Sequence, residues 1–198
     1  MKAIGNIYWL FTAFYMAFTT SITAQQDIYL SNASFEGQPD DATIPVGWFA
    51  CTQSTTPDIL PGPWGVYQEA TEGDTYMGLI TRGDGTFESV GQRLPKAIKA
   101  KECYKFSLDL ARSDTYAGYN KPIKLRIWLG QQKCEKGQLI VETDFIQHLD
   151  FKTYQFQFTA KKDWNYIIIE AYYKDGRFSH QGNILIDNFS AIKLCNRA

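Results

Sequence analysis

The chain has 198 residues, with 20 Lys and Arg against 21 Asp and Glu, a formal net charge of −1. This balance excludes the clustered basic excess by which nucleic-acid binders meet their phosphates. The aromatic share is 15%, which supplies large apolar areas for a layer between packed sheets.

Lys2 precedes an apolar stretch from Ile7 to Phe18 and a small polar patch ending Ser21-Ile-Thr-Ala24. This is the three-part layout of a secretory signal peptide, with cleavage expected after Ala24. The apolar run is shorter than the ~20 residues needed to span a bilayer, so no transmembrane segment is expected after cleavage. Residues 25–198 then carry a net charge of −2, since only Lys2 is lost. That length suits a single domain burying around 70% of its unfolded surface. Export places the protein in the periplasm, at the outer membrane or outside the cell.

From Gly37 to Gly65 the chain is rich in Pro, Asp, Thr and Ser and punctuated by Trp48 and Trp64. Pro61-Gly-Pro63 disfavours regular pairing, and long loops are expected. Beyond it, period-two alternation dominates. Strands are predicted at Tyr76 to Thr81 and Phe87 to Arg93, separated by the turn cluster Arg82-Gly-Asp-Gly-Thr86. From Cys103 to Ala111 the residues Tyr104, Phe106, Leu108 and Leu110 share one face and Lys105, Ser107 and Asp109 the other. Ile123, Leu125, Ile127 and Leu129 repeat the pattern against Lys124, Arg126 and Trp128, as do Tyr154, Phe156 and Phe158 against Gln155 and Gln157. Further strands are predicted at Gln138 to Thr143, Tyr166 to Tyr173 and Asn183 to Leu194. Many short half-buried strands with turns between them indicate an all-β antiparallel β-sandwich.

Cys51, Cys103, Cys134 and Cys195 are an even set in an exported chain, which favours disulfides over metal ligation. Four cysteines allow three pairings. If the strands from Cys103 and from Pro122 form an antiparallel hairpin, Cys103 lies near Cys134, and that pair is the expectation.

Two segments frame the folded part: Leu30-Ser-Asn-Ala-Ser-Phe-Glu36 and Gly182-Asn-Ile-Leu-Ile-Asp-Asn-Phe-Ser-Ala-Ile-Lys-Leu194. They resemble the first and last strands of carbohydrate-binding-module jelly rolls. Together with Val46-Gly-Trp-Phe-Ala-Cys51, Pro57-Asp-Ile-Leu-Pro-Gly62, Gly73-Asp-Thr-Tyr-Met-Gly78, Cys103-Tyr-Lys-Phe-Ser-Leu-Asp-Leu-Ala-Arg-Ser113 and Lys124-Leu-Arg-Ile-Trp128, they are similar to an uncharacterised domain of Bacteroidota cell-envelope proteins. That domain is found fused to OmpA-like domains or labelled gliding-motility-associated. The resemblance implies a galactose-binding-like jelly roll with no established chemistry. It also implies that this chain, ending at Ala198, lacks the anchoring domain into which fused members continue. In jelly rolls of this kind a structural Ca2+ ties an acid of the first strand and an Asp of the last to a nearby loop. The matching positions are Glu36, Asp187 and Asp74 in the Gly73-Asp-Thr75 loop, and Ca2+ takes its six to eight oxygens from such carboxylates and carbonyls.

Catalysis has poor support, a glycan-active hydrolase being the lesser alternative: the sequence has no Gly-x-Ser-x-Gly elbow, His-Glu-x-x-His or phosphate-cradling loop. His148 and His180 fall in loops. Asp40 and Asp41 could serve a glycosidase, but adjacent acids on a loop read first as a solvated turn. Carbohydrate binding rests instead on aromatics outside the core pattern, because sugar C–H faces stack on Trp or Tyr while neighbouring polar groups bond hydroxyls. The candidates are Trp64, Tyr116, Tyr119 and Trp128, with Arg126 beside Trp128 and able to pair with Glu170; Trp48 reads as core. A non-catalytic module for carbohydrate or envelope glycan follows. The alternative is a protein-interaction component of an envelope assembly, since exposed aromatics suit protein interfaces equally.

Overall fold

A computed structural model describes residues 27–173 and 180–195; the expected signal peptide, residues 1–24, lies outside them. The strands are, in order, β1 (Phe49–Ala50), β2 (Asp58–Leu60), β3 (Tyr76–Thr81), β4 (Ser89–Ile98), β5 (Cys103–Ala111) and β6 (Lys121–Pro122). They continue with β7 (Lys124–Gly130), β8 (Gln138–Glu142), β9 (Lys152–Thr159), β10 (Trp164–Tyr172), β11 (Gly182–Asp187) and β12 (Lys193–Leu194). No helix among the described residues is long and apolar enough to cross a membrane.

The strands form two antiparallel sheets packed face to face. The first runs β1-β4-β10-β7-β8 and the second β12-β5-β11-β3-β2, with β9 pairing β5 and the short β6 lying parallel to β11. Alternation sets what faces inward. Tyr104, Phe106, Leu108 and Leu110 of β5 meet Leu125, Ile127 and Leu129 of β7 and Ile167, Ile169 and Ala171 of β10 in one core. Trp48 is buried there too, stacked at a tilt 5.2 Å from Phe35 with its indole N–H on the Asn32 carbonyl (3.1 Å).

The alternation of β5 and β7 is as expected, but their pairing is not. They lie in different sheets and face each other across the core, so Cys103 is not brought to Cys134. Cys103 is instead bonded to Cys195, which follows β12 and donates its N–H to the Cys103 carbonyl (2.9 Å). Cys134 is bonded to Cys51, which follows β1. The last predicted strand is also two: it breaks after Asp187, and β12 pairs a different stretch of β5 from β11.

Both sheets carry material on their outer faces. Over the second sheet, Leu60, Tyr76, Ile80, Ala111 and Leu185 form a small second core with Val66 and Tyr116, roofed by the chain that follows β2 and by the loop after β5. Over the first sheet, the β7–β8 connection folds back until Lys136 reaches Glu170 on β10.

Candidate functional site

Trp64 owes its position to its neighbours in sequence. After β2 the run Pro61-Gly-Pro-Trp-Gly65 cannot continue a ladder, because Pro lacks the N–H donor. The chain closes instead into a 3-10 turn over Pro63–Gly65 in which Trp64 itself is left-handed (φ 58°). Val66, fully buried, pins the far side. The turn is tied to the loop after β5 by Ala117 N–H on the Trp64 carbonyl (3.0 Å) and Thr115 Oγ1 on the Gly65 carbonyl (2.7 Å). The indole is thereby projected outward and stays 45% exposed, unusual for a side chain that is normally mostly buried.

Beneath the ring lies Asp58, a buried carboxylate of β2. It accepts hydrogen bonds from the Ala42 N–H (2.8 Å) and from the Tyr116 hydroxyl. Burial raises the Asp58 carboxyl above the ordinary Asp value, the hydrogen bonds offsetting part of the rise. Burial and, secondarily, the Asp58 charge push the Tyr116 hydroxyl well above its usual range. Glu88 lies beside this group, fully buried, taking donors from Thr56 N–H (2.9 Å), Ile80 N–H (3.0 Å) and Arg82 Nη2 (2.5 Å). Its carboxyl too is raised by burial. Arg82 Nη1 is buried without a hydrogen-bond partner among the described residues.

Two hollows flank the Trp64 ring. One, of about 320 Å³, is lined by Pro39, Asp40, Asp41 and Pro63. The other, of about 120 Å³, reaches down to Asp58, Ile80, Arg82 and Tyr119. The arrangement offers a flat apolar face with carboxylate acceptors and the Tyr119 ring beside it, groups that suit a sugar ring with its hydroxyls.

The expected sugar contacts are therefore split. Trp64 and Tyr119 share this site. Tyr116 also lies here, but at 1% exposure, with its hydroxyl committed to Asp58, it supports the platform and cannot stack on a ligand. Arg126 and Trp128 sit elsewhere, on the outer face of the first sheet. Arg126 has both Glu142 of β8 and Glu170 of β10 opposite it, and pairs with Glu142 (Nε–O 2.8 Å, Nη2–O 2.7 Å) while Glu170 is taken by Lys136. Its guanidinium also covers the Tyr172 ring at 3.2 Å from the centroid. The Trp128 indole N–H points to Glu170 (3.4 Å). Sequence reasoning missed Asp58, Arg82 and Glu88; the available signal was a carboxylate inside a strand-like run, as in Pro57-Asp-Ile-Leu60.

The three calcium candidates do not converge. Glu36 accepts from Asp74 N–H (3.2 Å) and Thr75 Oγ1 (3.3 Å). Asp187, fully buried, accepts from Thr71 N–H (2.7 Å), Thr71 Oγ1 (3.0 Å), Glu72 N–H (3.1 Å) and Asn188 N–H (2.7 Å). The two carboxylates grip opposite ends of the loop through N–H donors, and Asp74 offers its backbone N–H to Glu36. Among the described residues no group of three His, Cys, Asp or Glu is placed to hold a metal. In this arrangement the two carboxylates tether the loop through its N–H groups.

No family model and no curated protein matches the sequence. Solved structures do share its fold. The CBM22-1 xylan-binding domain of Xyn10C from Paenibacillus barcinonensis aligns with a TM-score of 0.54 at 17% identity, covering 87% of this chain and 97% of that one. A cyclase from Fischerella sp. TAU, solved with 4-(1H-indol-3-yl)butan-2-one, aligns at 0.55 and 16% identity over 87% and 99%. The K3 cleaved adhesin domain of Lys-gingipain from Porphyromonas gingivalis aligns at 0.54 and 10% identity over 84% and 98%. At these identities the likeness shows the fold, an antiparallel β-sandwich of jelly-roll type shared with carbohydrate-binding modules.

Proposed function

We propose that this protein is an exported, non-catalytic carbohydrate-binding module that holds a sugar ring against Trp64. The observation that carries the reading is the exposed Trp64 ring, set beside the buried Asp58 and flanked by Asp40, Asp41 and Tyr119. With three carboxylates near the ring and one guanidinium already matched by Glu88, the site favours a neutral sugar. The larger hollow is within the size range of small-ligand sites, about 300–1,000 Å³. The xylan-binding and adhesin domains that share the fold support the reading by analogy. Two disulfides fit an oxidising compartment, in keeping with a role at the cell surface or in the periplasm, where an envelope glycan is within reach. Calcium at the 71–75 loop is a separate proposal, which requires Glu36 and Asp187 to exchange N–H donors for the ion.

The test is binding of the purified protein to a panel of soluble and insoluble glycans, neutral xylans and peptidoglycan included, with Trp64→Ala alongside. Selective binding that disappears in the variant supports the module and locates its site. A folded protein with no binding to any glycan overturns it.

A second reading, a protein-interaction component of an envelope assembly, is favoured by the exposed Tyr29 and Tyr67, tyrosine being a side chain enriched at interface hot spots. It predicts a defined protein partner that copurifies and is lost on Tyr67→Ala.

A further inference from the structure

The outer face of the second sheet is closed at one end by the small second core and open at the other. The open end is a groove of about 540 Å³ over β5, walled by β9 on one side and by the turn into β12 on the other. Period-two alternation turns Lys105 and Ser107 of β5 outward, away from the core that takes Tyr104 and Phe106. Register then builds rows across three strands. Lys105 stands opposite Lys193 of β12 and opposite Gln157 of β9. Ser107 stands opposite Gln155, with Ser190 packed against it through Ser107 N–H on Ser190 Oγ (2.8 Å).

The electrostatics of the first row are unfavourable without a ligand. Like charges directly opposite on neighbouring strands destabilise a sheet, and these two ammonium groups are poorly compensated. Lys193 has Asp27 at 3.5 Å, with both side chains substantially exposed. Lys105 makes no ion pair, and Gln155 and Gln157 make no side-chain hydrogen bond, among the described residues. Asp109, next on this face of β5, is buried and already accepts from Thr71, Thr153 and Asn188. The groove therefore presents two neighbouring cations and uncommitted amide groups on a flat, extended floor.

We propose that this groove is a second binding site, for an acidic polysaccharide, with the anionic substituent of one sugar, carboxylate or sulfate ester, between Lys105 and Lys193 and the hydroxyls of its neighbours on Gln155 and Gln157. Two cations suit a chain carrying one charge per sugar. They do not suit nucleic acid, whose phosphates are contacted in larger numbers by basic surfaces. The site is separate from Trp64 and stands whether or not the neutral-sugar reading does.

Binding of the full protein to polygalacturonate, dextran sulfate, xylan and duplex DNA tests it, at 0.05 M and at 1 M salt, for the wild type, Lys105→Gln/Lys193→Gln, Lys105→Arg/Lys193→Arg and Trp64→Ala. The wild type is expected to bind polygalacturonate or dextran sulfate, and which of the two it prefers assigns the anion as carboxylate or sulfate. Binding should weaken at high salt, where the screening length shrinks to about 3 Å. The double Gln variant should lose about tenfold in affinity, the Arg variant should regain it, and Trp64→Ala should leave it unchanged. No binding to either acidic polymer, an undiminished affinity in the double Gln variant, or equal binding to DNA overturns the proposal.

Discussion

Trp64 and Trp128 are built from the same parts and end up doing opposite things. Each indole lies beside a buried carboxylate, Asp58 and Glu170 respectively, and each has an arginine near it. Trp128 lies within a strand, on the outer face of the first sheet, and the β7–β8 connection comes down over that face until Lys136 meets Glu170. Trp64 lies on a turn that proline forces out of the sheet, and none of the described residues comes down over it to close it. A buried carboxylate beneath a tryptophan can thus anchor either a covered face or an open platform. The difference lies in the backbone that carries the ring.

The largest effect that would sharpen this contrast is at Glu170, whose side chain is 1% exposed and paired with Lys136. Removing one partner of a buried pair costs about 3 kcal/mol or more. Glu170→Ala is expected near that lower figure, because Lys136 is partly exposed and can turn to water. Urea denaturation measures it; a loss below about 1 kcal/mol would mean that the pair behaves as a surface ion pair and the face is not sealed. Cys51→Ser/Cys134→Ser, which frees the same connection from β1, is expected to cost about 2–4 kcal/mol and to leave glycan binding at Trp64 intact.

Removing each ring in turn tests the contrast directly. Trp64→Ala should lower glycan affinity about thirtyfold, the loss of about 2 kcal/mol typical of a ring at the centre of a contact, while stability changes by about 0.5 kcal/mol or less. Trp128→Ala should do the reverse, lowering stability by about 2 kcal/mol with affinity unchanged. If both variants lose binding alike, the ligand spans the first sheet and the two sites are one.

Much of this was legible in the sequence, and the missing part has one cause. Alternation in Cys103–Ala111 and in Ile123–Leu129 marks which side chains enter the core, because the period of a strand is local. It does not say which strand lies beside which, so the hairpin that would have joined Cys103 to Cys134 was as consistent with the pattern as the true pairing. Pro61-Gly-Pro-Trp-Gly65 announces a projected ring for local reasons as well. The burial of Tyr116 depends on Asp58, 58 positions away, and nothing near Tyr116 reveals it. The same holds for Lys105 and Lys193, which only the β5–β12 register makes neighbours.

The calcium proposal bears on a third carboxylate. Asp187 satisfies four donors while fully buried. If it is a tether alone, calcium leaves the melting temperature of the wild type unchanged. If the loop opens to bind the ion, calcium raises the wild-type value and not that of Asp187→Ala.

The smallest effect, and the one that separates the two tryptophan sites by sign, is pH. At the Trp64 site burial raises Asp58 and Glu88 above the ordinary values of 3.8 and 4.5. The native state there binds protons more tightly than the unfolded chain. The resulting stability is fully present below those ordinary values and is lost as pH rises through the native ones. At the Trp128 face the hydrogen bond and charge of Arg126 hold Glu142 below its ordinary 4.5, so its contribution is present above 4.5 and is lost as pH falls through the native value. Melting temperature followed upward from pH 3 should therefore fall less steeply in Asp58→Asn than in the wild type, and rise less steeply in Glu142→Gln. Parallel profiles for wild type and Asp58→Asn would mean that water reaches Asp58 in the folded protein. The Trp64 ring would then rest on a solvated carboxylate and lose the rigidity that makes it a platform.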